Sequence, residues 1–160
     1  MRTLAIRVVY IAFALACLLL LSSQENARAA DTNGDGLVDQ VAICQANKVC
    51  VTRGGSGQVI TYSDPNWNSV SINSVVDTNG IVGADVIVIF AKVGGSPGIS
   101  MIHDRSQNWQ NYFFPGNFTV RTVQNTDGQP GAEVCSSLQL GGFIRITDRI
   151  SSQQNVAACP

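Results

Sequence analysis

The chain has 160 residues, with 10 basic and 11 acidic side chains and a formal net charge of −1. Its basic residues are scattered, which removes the electrostatic support that a nucleic-acid backbone partner requires. The length suits one domain with a modest core.

In chain order, Arg2 and Arg7 precede an apolar run of 14 residues, Val8 to Leu21, followed by a polar stretch ending Ala27-Arg28-Ala29. This is the charged, apolar and small-residue order of a secretory signal peptide, expected over residues 1–29. The run is shorter than the roughly 20 residues needed to span a bilayer. No stable membrane anchor is therefore expected after its removal, and the expected location is secreted, extracellular or periplasmic. The remainder, residues 30–160, has seven basic and ten acidic residues.

That remainder keeps four cysteines, Cys44, Cys50, Cys135 and Cys159. Outside the cytosol an even number reads as disulfides, and four cysteines allow three pairings. Cys44 and Cys50 flank Gln-Ala-Asn-Lys-Val, whose Asn47 suits a turn, so the preferred pairing is Cys44 with Cys50 and Cys135 with Cys159. Neither a CxxC pair nor a second histidine is present to make a zinc site of them.

The stretch Asp31-Thr-Asn-Gly-Asp-Gly-Leu-Val-Asp39 recurs as Asp77-Thr-Asn-Gly-Ile-Val-Gly-Ala-Asp85 and as Asn125-Thr-Asp-Gly-Gln-Pro-Gly-Ala-Glu133. The copies start 46 and 48 residues apart, a period typical of propellers and arrays. An apolar, β-branched run follows each copy, beginning at Val41, Val86 and Val134, and further short strands are expected at Val49, Gln58, Ile99, Phe118 and Phe143. Glycine-rich breaks at Arg53 and Lys92 punctuate them. The expected fold is all-β, built of antiparallel blade-like repeats. About two and a half repeats are expected, because the first copy has no obvious incoming strand. Such a partial β-propeller would leave open edges and an apolar flank. The sequence accordingly predicts either self-association or closure into a small sandwich.

The first bend can present calcium with oxygens from Asp31, Asn33, Asp35 and Asp39 and from the Leu37 carbonyl, with Gly34 and Gly36 permitting the curvature. The EF-hand pattern needs a glutamate at its twelfth position, where this chain has Ala42, so no helix-loop-helix site is expected. The second bend keeps Asp77, Asn79 and Asp85 and the third Asn125, Asp127 and Glu133. Having fewer formal charges, both should bind more weakly. The same residue types also favour bare turns through their own hydrogen bonds.

An acidic nonapeptide of this kind followed by an apolar strand resembles the FG-GAP or VCBS-type repeat of integrin-alpha-like β-propellers. The resemblance spans most of residues 30–160 and is fullest in the first copy. It implies that the ninth-position Asp39 closes a calcium site, and that the chain binds extracellular protein or carbohydrate as an adhesion or recognition module without being an enzyme. A secreted hydrolase built on the scaffold and a structural envelope component are the alternatives.

His103 is the only histidine and stands beside Asp104. Neighbouring residues on a strand point to opposite faces, and no nucleophile elbow accompanies them, so a strand-end histidine without a catalytic role is expected. Trp67, Trp109, Tyr112 and Phe113 lie among asparagines. They are candidates for a surface where aromatic faces meet a sugar ring, in competition with a packing role between repeats.

Overall fold

A computed structural model of the chain describes residues 28–160. The expected signal segment lies almost wholly outside the described residues.

Twelve strands form three antiparallel sheets of four, each contiguous in sequence. The first holds β1 (Arg28–Ala30), β2 (Asp39–Gln45), β3 (Lys48–Thr52) and β4 (Val59–Ser63). The second holds β5 (Ser69–Val76), β6 (Asp85–Ala91), β7 (Gly98–His103) and β8 (Asn108–Phe113). The third holds β9 (Phe118–Gln124), β10 (Glu133–Leu138), β11 (Phe143–Thr147) and β12 (Ser152–Val156). In every sheet strands pair in sequence order, and the acidic bend joins the first strand to the second. Three full repeats are therefore present instead of two and a half. The missing incoming strand is the short β1, which pairs Arg28 with Val41 and Ala30 with Asp39. The boundary expected at residue 29 falls inside it.

The second sheet lies between the other two, which explains its composition. Val86, Val88, Phe90 and Ile102 join Val41, Val49, Val51, Tyr62, Trp67 and Ile72 in one core. On the opposite face Ile87, Ile99 and Met101 join Tyr112, Phe114, Val134, Ile144 and Ile146 in another. Alternate residues of Val-Ile-Val-Ile-Phe thus serve different cores, so a strand buried on both faces reads as an unbroken apolar run. Full burial of each such side chain stabilises the stack by roughly 1.5–3 kcal/mol.

The outer sheets alternate apolar-inward and polar-outward. The outward face of the first carries Gln40, Thr52, Ala42 and Thr61 in register, with Val59 as its large apolar member. It also bears the Cys44–Cys50 disulfide. Cys135 lies on the outward face of the third sheet beside Thr122 and Arg145, and its bridge to Cys159 holds the chain end against that face, leaving Cys135 only 1% exposed. Both disulfides follow the preferred pairing. The open apolar flank expected from a partial propeller is absent among the described residues. Each end of the stack is finished by a largely polar face and a disulfide, as terminal repeats require.

Candidate functional site

The three bends stack on one another. Ala84 N–H donates to the Asp31 carbonyl and Ala132 N–H to that of Asp77, both at 2.8 Å. Gly83, at φ +114°, has no room for a side chain, since a Cβ there would lie 2.8 Å from the Thr32 carbonyl oxygen. Gly131 meets Thr78 in the same way at 2.6 Å. Leu37 holds the equivalent place in the first bend, which meets no earlier bend among the described residues.

Within the first bend, Asp31 accepts N–H groups from Gly34 at 2.7 Å and Gly36 at 2.8 Å, and Asp35 accepts that of Leu37 at 2.8 Å. Asn33 joins its amide to Asp35 at 2.9 Å. Neither Asp31 nor Asp35 meets a protein cation among the described residues; their oxygens accept hydrogen bonds from within the bend. Asp39 does not share that role. It is fully buried, and its carboxylate takes the Thr32 N–H at 3.1 Å, the Gly54 N–H at 2.8 Å and the Arg53 guanidinium at 3.2 Å. Burial alone would raise the Asp39 pKa. The hydrogen bonds from Thr32 and Gly54, with the Arg53 charge, hold it below the usual carboxylate range instead.

Each ninth-position acid has a basic partner. Asp85 faces His103 Nδ1 at 3.0 Å, and Glu133 faces Arg149 at 3.5 Å, while Arg149 also reaches Asp127 at 2.5 Å. In the third bend the positive charge is therefore a guanidinium. In the second bend Asp77 accepts the N–H groups of Asn79 and Gly80, and the Asn79 amide donates to Asp85 at 3.4 Å beside His103.

Two of these places are junctions between sheets. The register sets Arg53 opposite Asp39 just beyond β3, and His103 opposite Asp85 at the end of β7, so the two cations are structural equivalents. The next residue in each following sheet, Asp104 or Asp148, reaches back across the junction. Asp104 receives Arg53, the Tyr62 hydroxyl and, at 2.5 Å, the Thr32 hydroxyl. Asp148 receives the Tyr112 hydroxyl at 2.7 Å and the Thr78 hydroxyl at 3.0 Å, with His103 Nε2 at 3.3 Å. Burial raises both tyrosine pKa values, and the carboxylates they donate to add to the effect. Burial works against a charge on His103, but its hydrogen bond to Asp85 and the charges of Asp148 and Asp85 outweigh this and raise its pKa.

No protein-family model, curated protein or solved structure matches the chain. The site must be read from its geometry. Among the described residues, Asp85, His103 and Asp148 bring one ligand atom each within 4.8 Å of the others, a group that can hold a metal ion. His103 is thus a strand-end histidine, as expected, but a partly buried one with two carboxylate partners. Two adjoining clefts, of about 360 and 250 Å³, share Asn79, Ile81, His103 and Ser106. The larger adds Asn108, Gln110 and Trp109.

Of the aromatic candidates, Trp67 and Tyr112 are core residues, 2% and 4% exposed, because each closes a junction between sheets. Trp109 borders the larger cleft, but its half-buried ring packs against Tyr62 and Trp67 in the first core, both at 6.2 Å, and donates its Nε1–H to Asp64 at 2.9 Å. Phe113 packs edge-on to Phe90 at 5.5 Å. The residues that sequence reasoning missed are Arg53, Asp104 and Asp148. Their signal was the pair Asp-Arg, which follows Ile-His at Asp104 and Ile-Thr at Asp148.

Proposed function

We propose that the chain is a secreted recognition module without catalytic activity, whose polar groove over His103 takes a carbohydrate ligand. The observation that carries this reading is the cleft of about 360 Å³. There His103 stands among Asn79, Ser106, Asn108 and Gln110, a convergence of hydrogen-bonding groups that suits the hydroxyls of a sugar. A protein ligand is the other class the family resemblance implies. Two disulfides suit an exported protein, and no helix among the described residues is long and apolar enough to cross a membrane.

Calcium has a supporting role in this reading. Asp31, Asn33, Asp35 and the Leu37 carbonyl provide its oxygens, with affinity on the order of 10⁻⁴ to 10⁻³ M. The second and third bends are weaker candidates, since Asp77 is the second bend's one carboxylate outside the ninth position and Asp127 in the third is paired with Arg149.

The test is a glycan array followed by calorimetry. A wild-type signal that is lost in Asn108→Ala and Gln110→Ala, exposed positions that leave the core untouched, supports the groove. An array with no signal for wild-type protein refutes the carbohydrate reading, and a peptide-library signal at the same residues replaces it with a protein ligand.

A further inference from the structure

Both junctions between sheets place a basic side chain between two carboxylates, and they differ in one respect. In the first, Arg53 stands between Asp39 and Asp104 and carries a permanent charge. In the second, His103 stands between Asp85 and Asp148, at 3.0 and 3.3 Å from its two ring nitrogens. The other members of the junction are kept, Thr32 as Thr78 and Tyr62 as Tyr112. The histidine junction is therefore the one whose cation can be exchanged for an ion.

We propose that Asp85, His103 and Asp148 form a site for a zinc-class divalent ion that fastens the second sheet to the third. The donor set is one imidazole and two carboxylates, which suits zinc and its transition-metal neighbours and not calcium, a cation that takes oxygen alone. Asp85 and Asp148 side chains are 6% and 1% exposed, so a neutral imidazole would leave two buried carboxylates without a counter-charge. An ion bound through one ring nitrogen and one oxygen of each carboxylate supplies that charge and displaces the proton of that nitrogen to solvent. Hydrogen bonds from Tyr112 and Thr78 to Asp148, and from Thr78 to Asp85, hold the carboxylates in place. His103 and Asp148 border the larger cleft, and His103 and Asp85 the smaller, which gives an ion and its remaining water ligands a way in.

The experiment compares wild type with His103→Arg, the variant that recreates the first junction in the second. Calorimetry and thermal melting are run with zinc, with cobalt as a spectroscopic probe and calcium as a control. Wild type should bind one zinc per chain and melt higher by on the order of 5 °C or more in excess zinc. His103→Arg should lose both effects while melting near metal-free wild type. Should the longer side chain not fit, His103→Gln removes the ligand with less bulk and must lose the zinc response too. Absence of zinc or cobalt binding to wild type overturns the assignment, as does an undiminished response in the folded variants. A calcium response retained in the variants belongs to the first bend and leaves the zinc result to decide.

Discussion

Asp104 is the carboxylate on which the first junction turns, and its removal should be among the costliest single changes in the chain. It is fully buried and receives Arg53 and the hydroxyls of Tyr62 and Thr32. Asp104→Ala leaves the Tyr62 hydroxyl without its partner and Arg53 with Asp39 alone. Breaking a buried pair from one side costs about 3–5 kcal/mol. Asp104→Asn keeps the shape but turns an N–H₂ group toward one of three donors, for a cost of about 3 kcal/mol from weakened charge-assisted bonds. Tyr62→Phe removes one donor from a carboxylate that keeps two, and should cost about 1 kcal/mol. Urea unfolding measures all three, with the midpoint moving and the slope unchanged if the folded state stays intact. The Asp104/Tyr62 double-mutant cycle should show coupling of about 1 kcal/mol. Asp104→Asn within 0.5 kcal/mol of wild type, on the order of a neutral surface change, would refute the reasoning and assign the junction to its apolar core.

Three further outcomes are expected. Gly83→Ala combines a positive φ with a Cβ 2.8 Å from the Thr32 oxygen, and should lower stability by about 2 kcal/mol or more, whereas Leu37→Ala at the equivalent unstacked place should cost under about 1 kcal/mol; paired thermal melts check the contrast. Replacing Cys135 and Cys159, which close the longer loop, should cost about 3.5 kcal/mol, against about 2.4 kcal/mol for Cys44 and Cys50; chemical denaturation of the two double variants tests the order. Burial alone would raise the Asp64 pKa, but donors from Trp109, Asn66 and Asn111 outweigh it and lower it, as similar bonds do for Asp39. Protons then bind the unfolded chain first, so the stability these two carboxylates contribute should hold above about pH 4 and fall as pH drops through their folded values. A melting series from pH 7 to pH 2 reads this, and Asp64→Asn should flatten it.

Much of the architecture was legible in the chain. The three bends recur at one period and occupy one structural place, the connection from first to second strand of each sheet, because a turn built from Asp, Asn and Gly carries its own hydrogen bonds. The run Val86 to Phe90 announced a strand, though not that both its faces are buried, and Cys44 with Cys50 announced a bridge across a hairpin. Less was legible at β8 and β12, polar edge strands whose pairing comes from the neighbouring strand and not from an apolar pattern.

The site belongs to the tertiary structure. Asp39 reads as the last ligand of a calcium loop, yet Arg53 claims it, and Thr32 meets Asp104 from 72 positions away in the chain. The period of the repeat determines that sheets form and stack; it does not carry which carboxylate of one sheet faces which cation of the next. That choice depends on the few side chains buried together at a junction, where an unpaired charge is too costly to remain.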